Sequence, residues 1–240
     1  MRFLISLLIV LPFLSRSTHG IPTGFVDEGV ATIGAITGAF APNPRNSGKP
    51  MLLLSSKEGK IMVLEDPDTT QEFDVIADLE SRMCHNGERG LQSIRPHPDF
   101  ANNQFLYVFY AQENNGCLED AETGPRNRLS RFTMNKDTLM IDLDTELILL
   151  ETPPLPKRVH NGGNIAFGND GKLYVTTGEG GSRSPAVSQD PGHLHGKILR
   201  LNDDGTIPSD NPHAADGVAC ALIGGKTNDG SVCAEVYVFM

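Results

Sequence analysis

HNGGNIAFGNDGKLYVTTGEGG, residues 160–181, reads as strand, turn, strand. Asn164 to Phe167 is a short apolar run, and Asn169-Asp170-Gly171 supplies the turn residues that tolerate a positive φ. Leu173 to Thr177 then alternates apolar and polar residues before a glycine-rich exit at Gly178, Gly180 and Gly181. Two earlier stretches share this layout. GAITGAFAP (34–42) leads to PMLLLSS (50–56), a turn at Glu58-Gly59 and KIMVLED (60–66). GLQSIRPHPDF (90–100) leads through Asn102-Asn103 to QFLYVFYAQ (104–112), and later to NRLSRFTM (127–134) and TELILLETP (145–153). The third unit continues into GKILRLNDDG (196–205).

Each unit is about 60 residues long, with the first hairpin recurring and the length varying mainly in the loop after the second strand. Radial repetition of four-stranded meanders behaves this way, so an all-β chain of β-propeller blades is expected rather than a sandwich. The apolar run EVYVF (235–239) reads as the first strand of a fourth blade, giving about three blades plus the start of another. Propellers close with four to eight blades. The sequence therefore reads as part of a propeller, ending at Met240 within a strand.

Composition narrows the function. Lys and Arg number 20 against 30 Asp and Glu, a formal net charge of −10, with no basic run. Nucleic acid is excluded as an expected partner, because it requires a concentrated positive surface. Residues 1–20 read as a secretory signal peptide: Arg2 precedes a twelve-residue apolar core, with Ser15, Ser17 and Gly20 at a small-residue cleavage region. That core is too short to span a bilayer, and no later stretch approaches the length of one. A secreted domain over residues 21–240 follows. Export makes the four cysteines candidates for disulfides, with three pairings open, and no CxxC suggests zinc.

The third unit, with HGKILRLNDDGTIPSDNP (195–212) and EVYVF after it, resembles the glucose/sorbosone dehydrogenase family. That family includes soluble quinoprotein sugar dehydrogenases and the domain of hedgehog-interacting-protein-like proteins. GERGLQSIRPHPDFANNQFLYVFY (87–110) is similar to another of its segments, and the resemblance covers roughly residues 30–239. It implies a six-bladed propeller holding pyrroloquinoline quinone and calcium near its axis. It further implies that His160 is the general base for a sugar or polyol hydroxyl, and that Glu179 orients it. His160 and Glu88 would line the cofactor; the position of Glu88 is Gln in the best-studied members. The family's Gly-x-Arg-Asn-Pro segment is expected directly after Phe239, where Met240 stands. The later lysine and arginines that hold the cofactor's carboxylates have no counterpart here. The resemblance thus points to a sugar or polyol dehydrogenase domain, incomplete and inactive by itself. The other reading is a secreted, non-catalytic propeller module that binds an extracellular protein or a carbohydrate.

Strand parity places these residues independently of the resemblance. If strands run outward from the axis, the residues before each first strand and after each second strand share one face. His160, Glu179 and Glu88 all fall there, as a base with a carboxylate behind it would require. Cys84 and Cys117 fall on that face within one blade, while Cys220 and Cys233 share what reads as the next blade-to-blade loop. Cys84–Cys117 and Cys220–Cys233 are the expected pairs. His193 and His195 alternate onto one side of a strand without a third ligand nearby, so no metal site is expected of them. Asn202-Asp203-Asp204-Gly205 has the composition of a calcium loop but the spacing of a hairpin turn.

Overall fold

The computed structural model describes residues 35–68, 72–181 and 186–239, all within the compact unit Ala31–Met240. The signal-peptide reading of residues 1–20 lies outside the described residues. Among the described residues, twelve strands form three antiparallel four-stranded sheets. The first holds β1 (Ala35–Asn43), β2 (Asn46–Ser56), β3 (Lys60–Leu64) and β4 (Asp74–Asp78) in sequence order. The second holds β5 (Leu91–Pro96), β6 (Phe105–Gln112), β7 (Arg126–Met134) and β8 (Ile141–Pro154). The third holds β9 (Gly162–Phe167), β10 (Leu173–Thr177), β11 (Lys197–Leu201) and β12 (Val236–Phe239). β5 packs against both β1 and β9, so the first strands of the three meanders lie side by side. These are three blades of a partial β-propeller.

One assignment changes. EVYVF was expected to open a fourth blade, but β12 pairs antiparallel with β11, Lys197 opposite Phe239 and Leu199 opposite Val236. It is therefore the outermost strand of the third blade, and the connection carrying Cys220 and Cys233 joins β11 to β12 within that blade. The reason is that β11 needs a ladder partner on its outer side. Residues 202–235 detour along the β10–β11 loop before supplying it: Leu194 N–H donates to the Gly225 carbonyl (3.0 Å), Thr227 to Gly192 (2.8 Å) and Cys233 to Pro191 (2.8 Å). The detour is pinned to β11 by Asn211, whose amide donates to the carbonyls of Arg200 (2.9 Å) and Ala234 (3.0 Å). Arg200 itself forks onto Asp170 and Asp210. Asn202 to Thr206 forms a turn, with Gly205 N–H bonded to the Asn202 carbonyl at 3.0 Å, but no strand follows it, so the expected hairpin is absent among the described residues and the chain enters the long β11–β12 connection instead.

Period-two alternation sorts side chains into two cores. From β6, Leu106, Val108 and Tyr110 enter the core shared with the first sheet, together with Leu53, Ile61 and Ile94. Tyr107 and Phe109 enter the core shared with the third, against Ile165, Leu173, Val175 and Leu199. A strand buried on both faces reads as a continuous apolar run, which is why FLYVFY lacks polar residues.

Disulfides join Cys84 to Cys117 and Cys220 to Cys233, with sequence separations of 33 and 13. The first encloses β5 and β6, and the second closes the end of the irregular β11–β12 connection. Replacing Cys84 and Cys117 together by serine should lower stability by about 3–4 kcal/mol, and replacing the second pair by slightly less, in proportion to the logarithm of loop length. Urea unfolding of the two double variants checks the size and the order.

Candidate active site

His160 sits at the end of the β8–β9 connection, one turn before β9, with φ of +56°. A non-glycine residue held there costs about 1–3 kcal/mol, so its surroundings must impose the conformation. They do so through main-chain contacts. The His160 carbonyl accepts the Gly180 N–H at 2.9 Å, and Gly178 N–H donates to the Asn161 carbonyl at 3.1 Å. A Cβ at Gly178 would lie 1.9 Å from the His160 carbonyl oxygen, and one at Gly162 would lie 2.2 Å from the Gly178 nitrogen. The glycines of the decisive stretch are thus spacers that let two chain segments touch.

The three expected residues come together. His160 Nδ1 is paired with Glu179 Oε1, and the Glu88 carboxylate accepts the His160 main-chain N–H at 2.6 Å. The imidazole is 61% exposed and the Glu179 side chain 26%, so the ring faces solvent with its carboxylate partner behind it. The hydrogen bond and charge of Glu179 raise the His160 pKa above its ordinary value, and Glu88 adds to the rise. This arrangement can take a proton at the outward ring nitrogen and hold the resulting imidazolium.

Arg89, which sequence reasoning passed over, organises these loops. It is fully buried. Its guanidinium donates to the carbonyls of Cys117 (2.9 Å), Leu155 (3.2 Å) and Lys157 (3.2 Å), tying the disulfide loop to the connection that carries His160. Burial lowers its pKa. The only signal in the sequence is a charged residue flanked by glycine two positions ahead of an apolar strand. Glu119 completes the tie: it accepts from Arg158 Nε at 2.9 Å and pairs with Lys157 Nζ at 3.3 Å, and both cations lower its pKa.

The other candidates resolve differently. His193 and His195 lie with ring centroids 4.9 Å apart. Burial first, and neighbouring charge second, push their pKa values down to about 4 and about 3, so both are neutral. His195 lies beneath Gly180, next to the Glu179 loop, and Lys197 donates to its carbonyl at 2.8 Å. Cys220, Cys233 and Glu235 cluster closely enough to suggest metal ligands, but both sulfurs are committed to a disulfide. Glu235 instead accepts the N–H groups of Cys220 (3.2 Å) and Ala221 (2.9 Å).

A propeller meander with a histidine–carboxylate pair at the mouth of its inner strands defines the class, and comparison with known proteins supplies the family. The pattern described as Glucose / Sorbosone dehydrogenase matches residues 42–223. The chain belongs to that family. It is 28% identical over 194 residues to quinoprotein glucose dehydrogenase B of Acinetobacter calcoaceticus, covering 70% of this chain and 40% of that protein. It is 30% identical to human hedgehog-interacting protein, covering 69% of this chain and 25% of that one. The structure of aldose sugar dehydrogenase from Streptomyces coelicolor in its PQQ-bound form superposes with a TM-score of 0.61 at 28% identity, covering 77% of this chain and 50% of that chain. The chain spans less than half the length of these curated relatives.

The pyrroloquinoline quinone implied by the family is a tricarboxylate, and the described residues fit it only in part. His160 and Glu179 suit proton removal. The described cations of the adjoining loops are already engaged: Lys157 and Arg158 by Glu119, and Arg89 and Lys57 by main-chain carbonyls. Two carboxylates hold His160 instead, Glu179 on the ring and Glu88 on the main-chain N–H.

Two outcomes follow from this geometry. Arg89→Met should cost about 3 kcal/mol or more, because it leaves several buried carbonyls without a donor; chemical denaturation measures it. His160 has a raised folded-state pKa, so the stability it contributes is fully present below the unfolded value of 6.5 and is lost as pH rises through the folded value. The difference in urea midpoint between wild type and His160→Gln should therefore shrink on going from pH 6 to pH 9.

Proposed function

We propose that the chain is the proton-accepting half of a quinoprotein-type sugar or polyol dehydrogenase, with His160 as general base and Glu179 as the group that orients it. The observation that carries this reading is the His160–Glu179 pair at the inner mouth of the blades, in a chain of this family. His160 would accept the proton of a substrate hydroxyl, and Glu179 would hold the imidazole in the correct tautomer and stabilise the cation formed. The hydride of such an oxidation goes to a quinone, since side chains do not accept one. Glu88 and His160 are the residues of this chain that would border the cofactor, with calcium beside it.

Cofactor retention is a separate matter. Among the described residues, Lys157 and Arg158 are engaged by Glu119 and Arg89 by main-chain carbonyls, which supports a chain that by itself holds no quinone and turns over no sugar. We read residues 1–20 as a signal peptide and residues 21–240 as one exported partial propeller domain. Two disulfides support that reading, because they persist in oxidising compartments. Among the described residues no helix is long and apolar enough to cross a membrane. A second reading, an extracellular module that binds a protein or carbohydrate, is favoured by the similarity to hedgehog-interacting protein.

Fluorescence titration with pyrroloquinoline quinone and calcium, followed by dye reduction with a panel of aldoses, tests the proposal. The 240-residue chain should show neither saturable binding nor turnover. In a form extended to the length of the relatives, sugar-dependent turnover should appear and fall by about 10²–10⁴ in kcat on His160→Ala. Turnover retained in that variant would remove His160 from the base role, and an inactive extended form would leave the binding module as the better account.

A further inference from the structure

Glu88 does something for His160 that a side chain pointing at the ring would not. Its carboxylate bonds the His160 main-chain N–H at 2.6 Å, and His160 is the residue in that connection held at positive φ. Glu88 is brought there by its own backbone, whose N–H donates to the Arg158 carbonyl at 2.8 Å. Gly87, at φ of +66°, makes the approach achievable, since a Cβ there would lie 2.6 Å from Arg158 Cβ. The side chain of Gln92 closes the loop from the other side by donating to the Glu88 carbonyl.

We propose that Glu88 is a positioning residue: its carboxylate latches the main chain of His160 in the left-handed conformation that aims the ring at Glu179, and its charge favours the protonated ring. The role of positioning residue rests on the reading of His160 as proton acceptor; the latch itself does not. A charged acceptor bonds an amide more strongly than a neutral one, which suits a backbone held against its preference. The charged groups around the ring are few. Among the described residues, Glu88 bonds the His160 main chain from the β4–β5 connection and Glu179 the ring from the β10–β11 connection; Lys57, on the turn between β2 and β3, donates to the Gly87 carbonyl, and Lys157 and Arg158, on the connection of His160 itself, are held by Glu119 from the β6–β7 loop. His195, beneath Gly180, is neutral. Two carboxylates, Glu179 first and Glu88 after it, thus favour the charged form of one imidazole.

Glutamine at position 88 separates the two effects, because it keeps an acceptor oxygen and loses the charge. The test is NMR of the 240-residue chain labelled in histidine with ¹³C and ¹⁵N, His160 being assigned through His160→Gln. In Glu88→Ala the His160 amide should exchange about tenfold faster, and its Cα shift should move away from the left-handed value. In Glu88→Gln the amide protection and Cα shift should persist, while the ring titrates at lower pH than in wild type. Unchanged His160 exchange and Cα shift in Glu88→Ala would overturn the latch. An unchanged ring midpoint in Glu88→Gln would overturn the part assigned to charge. Neither readout needs a cofactor or turnover, so the latch can stand even where dehydrogenase activity fails.

Discussion

β6 feeds two cores at once, Leu106, Val108 and Tyr110 on one side and Tyr107 and Phe109 on the other, and this double burial sets the geometry of everything around it. A sheet buried on both faces must have a neighbour on each, so the second blade forces the first and third to stack against it with their first strands adjacent. Once the inner strands are side by side, the loops that precede them converge at one end. Glu88, ahead of β5, and His160, ahead of β9, meet for that reason and not because of any attraction between them in the unfolded chain.

The converging loops contain little hydrophobic material, and polar ties replace it. Arg89 spans three carbonyls, Glu119 gathers Lys157 and Arg158, and a disulfide closes residues 84–117. These ties spend the local positive charge on structure. The exposed imidazole is paired with Glu179 and has Glu88 on its main-chain N–H, an environment that favours a proton on the ring and disfavours an anionic cofactor. The same arrangement therefore supports the base reading and weakens the case for quinone retention by these residues alone. The matched part of this chain corresponds to 40% of the quinoprotein glucose dehydrogenase B sequence and 50% of the aldose sugar dehydrogenase structure.

The β11–β12 connection shows a different solution to a similar shortage. Its length gives it no regular core, so it borrows one: Glu235 is buried beneath the turn at Cys220, Asn211 bridges two carbonyls, and the Cys220–Cys233 bond closes the loop. Burial raises the Glu235 pKa despite two N–H donors, so this residue is held as a structural acceptor within the protein interior.

Local pattern determined much of this protein. Period-two alternation, Asn/Asp/Gly turns and the recurrence of one hairpin were enough for strands, for blades and, through strand parity, for the face shared by Glu88, His160 and Glu179, because each follows from neighbours in sequence. The resemblance of residues 87–110 and 160–212 to one family added the roles proposed for them. Tertiary structure alone decided the rest. EVYVF looks the same as an inner or an outer strand, since an apolar pentapeptide after a long loop carries no record of its partner; only the ladder to β11 made it the outer one. Arg89 could not be distinguished from a surface arginine, because its carbonyl partners lie 28 to 68 residues away. The latch from Glu88 to the His160 amide spans 72 residues, and contacts at such separations are set by the stacking of blades, which no local pattern encodes.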